Sequence, residues 1–248
     1  MIRSALMLGA AAVTFTLVGS ARADDDKGEG IHRFGATGFI ISVDRLLPLL
    51  SYESNTQTAS DGTKTTQSRT SVALMNTGPF GVSNSFYNLP RISFDWVPVR
   101  NLTIGGSTWL YTDLQASDAI TPPNKATTST DAQKITYWGI APRLGYIIPL
   151  GDKVYLWPRA GVEYHHVSAS NVGDGSGSVT QLAFEAEAMV VISPWNHFGF
   201  TVGPTFDAPL TGEQTTTSAP TAAGATTSTR VDSAMWQVGV SAGLLGHF

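Results

Sequence analysis

Between Phe198 and Ala208 every second residue is apolar: Phe198, Phe200, Val202, Pro204, Phe206 and Ala208 alternate with Gly199, Thr201, Gly203, Thr205 and Asp207. The same period runs through 182–192, where Leu182, Phe184, Ala186, Ala188, Val190 and Ile192 alternate with Ala183, Glu185, Glu187, Met189 and Val191. Successive side chains of a strand point to opposite faces, whereas a helix brings i and i+4 together. From residue 84 onward the chain therefore reads as strands whose two faces meet different surroundings.

Turn and loop signals divide the chain into segments at about 36–51, 83–98, 101–112, 135–149, 154–167, 181–193, 197–209 and 232–248. The connectors alternate in length. Residues 52–82, 113–134, 168–180 and 210–231 are long and rich in Thr, Ser, Gly and Asn, while Val99-Arg100, Leu150-Gly-Asp-Lys153 and Pro194-Trp-Asn196 are tight turns. Eight strands with long loops at one end and short turns at the other predict an all-β fold. That fold is an eight-stranded antiparallel transmembrane up-and-down β-barrel, with short periplasmic turns and long extracellular loops. The first strand is the least regular, because Asp44-Arg45 and Pro48 interrupt its pattern.

The charges sharpen this expectation. In the seven later strands Arg91, Asp95, Arg143, Arg159, Glu163, Glu185, Glu187 and Asp207 all fall on the face that alternates with the apolar residues. The opposite face, with Ile92, Phe94, Ile104, Leu110, Ile140, Leu144, Leu156, Val162, Val238, Val240 and Leu244, carries no charge. It also carries aromatics near both strand ends. Trp138, Tyr164, Phe206 and Trp236 lie on the loop side, with Trp96, Tyr146, Phe198 and Phe248 on the turn side. Two aromatic girdles mark the two interfaces of a membrane. A β-sandwich would segregate its faces the other way, with the charges in water.

The start of the chain fits the same location. Met1-Ile2-Arg3, an apolar run from Ala5 to Val18, the small-x-small pattern Ala21-Arg-Ala23 and the acidic Asp24-Asp25-Asp26 follow the plan of a secretory signal peptide. Residues 1–23 are expected to be cleaved, 24–35 to form a short periplasmic tail, and 36–248 to form the barrel. Only 14% of residues are charged, against about 25% in a typical soluble domain. There is no cysteine, which removes disulfides and thiolate chemistry, and the net charge of −4 lacks the basic patch of a nucleic-acid binder.

The chain ends Trp236-Gln-Val238-Gly-Val240-Ser-Ala-Gly-Leu244-Leu-Gly-His-Phe248, an alternating strand closing on an aromatic residue. It resembles the C-terminal signal, here Trp236, Val238, Val240, Leu244 and Phe248, by which outer-membrane proteins are recognised by the barrel-assembly machinery. The whole of 36–248 resembles the small eight-stranded outer-membrane barrels of the OmpA, OmpX and OmpW type. The resemblance implies a Gram-negative outer membrane, contact with its lipid and lipopolysaccharide, and a monomer.

Two of the inward arginines, in Pro142-Arg143 and Pro158-Arg159, frame the turn at Gly151. A turn centred there would set Arg143 opposite Arg159, with Asp95, Glu163, Glu185 and Glu187 as compensating acids. The strand prolines, Pro90, Pro142, Pro158 and Pro204, read as bulges. An eight-stranded barrel has a lumen just wide enough for side chains to fill, so the eight charges read first as packing. The alternative is a narrow small-solute or ion channel gated by this cluster; three arginines against five acids would make a leak prefer cations.

A second alternative is catalytic. His166 and Ser168 share the outward face near the loops, and a His-x-Ser there resembles the dyad of lipid A deacylases. Ala169 follows Ser168 where that family has Asn, and the nearby acids point inward, so no catalytic residue is assigned. His165 and His166 face opposite ways on a strand, and His32, His197 and His247 form no ligand spacing; no metal or cofactor is expected. The expected role is structural or surface-exposed, without catalysis.

Overall fold

The computed structural model describes residues 34–72, Tyr87, 89–119, 128–172, 175–218 and 226–248. The expected signal peptide and residues 24–33 of the tail lie outside the described residues. Ten strands form one antiparallel sheet: β1 (Gly38–Thr58), β2 (Lys64–Val72), β3 (Arg91–Val99), β4 (Leu102–Ala119), β5 (Thr128–Tyr146), β6 (Ile148–Pro149), β7 (Val154–Val172), β8 (Gly175–Trp195), β9 (Phe198–Thr217) and β10 (Ser228–His247). Sequence neighbours pair, β10 returns to pair with β1, and the sheet closes. β2 and β3 together fill the second wall position, since both pair with β1. β6 continues β5 along β7, so the ring has eight strands.

The alternation read from sequence becomes an inside and an outside. Along β3, Arg91, Ser93, Asp95 and Val97 are buried, while Ile92, Phe94 and Trp96 are about half exposed or more. The pairing of β10 with β1 closes the ring and satisfies backbone groups that would be costly to leave unpaired in a membrane. The outward aromatics pack as pairs along both rims. Trp138 lies against Tyr164 at 5.4 Å and Tyr52 against Trp236 at 5.2 Å, with Phe198 against Phe200 on the turn side.

Four expectations change. First, the polar segments expected as loops are largely strand. β1, β4, β5, β7, β8, β9 and β10 are 18–21 residues long, about twice the 9–11 a tilted strand needs to cross a bilayer. Their Thr-rich ends hold the β conformation because threonine is β-branched, and in the ends of β1 and β9 most side chains are at least partly exposed on both faces. Second, the expected strand 83–98 starts at Arg91, and Tyr87 lies inside the barrel rather than in its wall.

Third, Arg143 does not face Arg159. The turn is the three-residue Gly151-Asp152-Lys153, closed by Leu150 N–H to the Val154 carbonyl at 2.9 Å. It is centred one residue later than expected, which shifts the register by two. Arg143 pairs with Gly161 and Arg159 with Gly145. Each arginine thus faces a glycine; a Cβ on Gly161 would lie 2.2 Å from the Pro142 carbonyl.

Fourth, the strand prolines are not bulges. Register runs unbroken past Pro142 in β4–β5, Pro158 in β7–β8 and Pro204 in β9–β10. Pro90 precedes β3. A proline lacks one donor, so it interrupts the ladder on one side only and keeps its pairing on the other. Register shifts lie elsewhere, among them two in β1, between Val43 and Leu47 and again between Pro48 and Leu50.

Candidate functional site

The lumen is filled in three levels. At the turn end Phe34, from the tail, packs edge-on against Tyr155 and Trp157 at 5.2 and 5.5 Å, in an apolar cluster with Ile40, Val97, Ile147, Val191 and Leu245. The tail is held there by Asn101 N–H to the Gly35 carbonyl.

Above this base lies the charge cluster. All eight inward residues read from the sequence, Arg91, Asp95, Arg143, Arg159, Glu163, Glu185, Glu187 and Asp207, are brought together, and none is more than 5% exposed. Two residues missed in the sequence complete it: Asp44 and Arg45, each 1% exposed. Arg45 has φ of +52°, inside the double bulge of β1, so two adjacent side chains turn inward. The only sequence signal was the interruption of the alternation itself.

The pairing is dense. Arg143 grips Asp95 with Nε and Nη2 at 3.1 and 2.6 Å and reaches Asp44 with Nη1 at 2.7 Å. Asp44 also accepts from Ser93 at 2.6 Å, Ser42 at 3.1 Å and Arg159 at 3.2 Å. Arg159 ties Glu187, whose other oxygen accepts from Arg45 Nε at 3.0 Å. Arg45 then forks onto Asp207 at 2.8 and 2.9 Å. Arg91 pairs with Glu185 and Glu163, both at 3.0 Å, and Glu163 meets His165 Nδ1 at 3.1 Å. Arg91 lies over the Trp109 ring at 4.3 Å and Arg159 over Trp157 at 4.4 Å. Gly139 makes room for Trp109, since a Cβ there would sit 2.1 Å from the indole.

The third level is a stopper at the loop end. Tyr87 is fully buried. Its carbonyl accepts from Arg45 at 3.0 Å, its hydroxyl donates to the Met235 carbonyl at 2.7 Å, and Gln181 donates to that hydroxyl. Tyr137, Leu89, Tyr111, Ile135, Val167 and Met235 pack around it.

On the outside, Trp236, Val238, Val240 and Leu244 lie on the lipid-facing side of β10, and Phe248 is 61% exposed. His166 Nδ1 meets the Thr180 hydroxyl at 3.0 Å rather than a carboxylate. A closed antiparallel ring with a lipid-facing apolar belt, two aromatic rims and a charged lumen defines a small transmembrane barrel of the outer-membrane type.

Comparison with solved structures finds outer-membrane proteins. The outer membrane protein OprG from Pseudomonas aeruginosa superposes with a TM-score of 0.51 at 12% identity, covering 88% of this chain and 99% of its own. Neisserial surface protein A gives 0.40 at 14% identity, covering 86% and 99%. The outer membrane protease OmpT from Escherichia coli gives 0.39 at 9%, covering 85% and 97%. At such identities the likeness is one of fold. No family model matches the sequence, and no curated protein does. The chain thus folds as an eight-stranded antiparallel β-barrel of the kind found in the outer membrane protein OprG, as the sequence reading expected.

Proposed function

We propose that the protein is a non-enzymatic, monomeric barrel that presents a polar wall at the cell surface, and that its lumenal cluster is packing rather than a path. One observation carries this reading: every guanidinium and carboxylate of the cluster is buried and ion-paired within it, between an apolar base and the Tyr87 stopper. Charges arranged for conduction face water, whereas these face one another. The long strands support a surface role, since their outer halves stand beyond the bilayer. Trp236, Val238, Val240, Leu244 and Phe248 serve as the strand that the barrel-assembly machinery reads.

Single-channel recording of the refolded barrel in a planar bilayer tests this. The wild type is expected to be silent; discrete openings that change with Arg143→Ala or Arg159→Ala would replace packing with an ion path. Lipid A from cells overexpressing the protein is expected to keep its mass. A mass loss abolished by Ser168→Ala would instead make His166 and Ser168 a catalytic pair.

A further inference from the structure

The outer wall carries a groove of about 560 Å³ at the loop end, across β5, β7, β8 and β9. Its floor follows from register. Thr136, Ser168, Ser178 and Thr215 are successive cross-strand partners, so four hydroxyl side chains lie in one row on the outward face. A second row above it runs from Lys134 through Ser170 and Ser176 to Thr217. Below them Trp138 and His166 form the lower lip, and Trp138 belongs to the aromatic rim with Tyr164. Small side chains beside a lysine and a tryptophan make the depression.

Three observations select the occupant. The groove opens directly above the lipid-facing wall, so an amphiphile with its chains against Ile140, Val162 and Phe184 would place its head group in it. The lining holds one lysine, one histidine and no carboxylate. Glu213, two residues from Thr215 along β9, receives the Thr215 hydroxyl at 3.3 Å and is ion-paired with Arg230. Finally, hydroxyl rows beside an indole suit a ring that is polyhydroxylated at its edge and apolar on its face.

We propose that this groove is a binding site for the phosphorylated sugar head group of an outer-leaflet glycolipid, lipopolysaccharide. Trp138 carries a sugar ring, the Ser and Thr rows bond its hydroxyls, and Lys134 meets a phosphate. The site lies outside the lumen, and it holds whether or not the lumen conducts.

The full-length barrel, refolded in detergent and shown folded by its heat-dependent gel mobility, would be incubated with purified lipopolysaccharide or with phosphatidylglycerol, and the bound lipid quantified after repurification. Lys134→Glu is expected to retain about five-fold less lipopolysaccharide, the scale of one lysine near an anionic head group. Ser178→Trp, which fills the groove without touching a charge, is expected to lose as much. Lys64→Glu at the β1–β2 tip and Ala234→Trp on the outer face of β10 serve as controls and are expected to match the wild type. Phosphatidylglycerol retention is expected to be lower and insensitive to Ser178→Trp. Equal retention of both lipids, or lipopolysaccharide retention unchanged in both groove variants, would overturn the site.

Discussion

Arg45 ties two levels of the lumen together. Its guanidinium meets Glu187, Asp207, Glu185 and the Tyr87 carbonyl, joining the cluster to its stopper. Removing one partner of a buried ion pair strands the others in low dielectric, at a cost of about 3–5 kcal/mol. Arg45→Ala is therefore expected to lower the unfolding free energy by that much, seen as a fall in the denaturant midpoint followed by intrinsic fluorescence. Arg230→Ala breaks an ion pair whose arginine is 74% exposed, and its loss is expected to stay within about 1 kcal/mol. Equal losses for the two would undo the packing account. Eight members of the cluster were legible because strict alternation gives every charge a side. Asp44 and Arg45 were not, because a double bulge and one left-handed residue break the parity on which that reading rests. Tyr87 was hidden for a related reason: its alternating surroundings look like wall, and only tertiary placement puts it inside.

At the level of elements, the two segments that share one wall position differ sharply. β3 is paired on both sides, with β1 and β4, and its inward residues are core. Among the described residues β2 pairs with β1 alone, and nearly all its side chains are exposed. Hydrogen exchange in micelles is expected to show β3 amides protected as long as the whole barrel survives, and β2 amides exchanging orders of magnitude sooner through local opening. Matching protection would mean that β2 has a second partner. The same contrast explains what composition concealed. A Thr-rich stretch without an apolar face reads as a loop, yet outside the bilayer neither face needs to be apolar, so pairing alone sustains the strand. The C-terminal strand separates assembly from stability. Phe248 is mostly exposed and stacks on His197, while its backbone bonds to Phe39 in any case. Phe248→Ala is expected to change refolded stability by no more than about 1 kcal/mol. Its level in the outer membrane is nevertheless expected to fall several-fold. A large stability loss with a normal level would remove the residue's role as a signal.

For the whole molecule, closure is distributed over three levels, and that decides how it would have to be opened. Six carboxylates face four arginines in the lumen, so any continuous water path through them would favour cations. Two apolar barriers stand in series with that layer: Phe34 on Tyr155 and Trp157 at the turn end, and Tyr87 among Tyr137 and Met235 at the loop end. Tyr87→Ala exposes the cluster to the outside but leaves the Phe34 base, and Phe34→Ala does the reverse. Each single variant is expected to remain silent in a planar bilayer, at a stability cost of about 3–5 kcal/mol from the vacated space. The double variant wets both faces of the cluster, and brief openings that pass cations in preference to anions are then expected. Adding Arg45→Ala to it should lengthen those openings, because the guanidinium that closes the centre is gone while the carboxylates remain. If either single variant conducts steadily, the corresponding barrier acts alone as a gate. If the triple variant is folded and silent, the arginines and acids fill the lumen so completely that neither stopper matters to its closure.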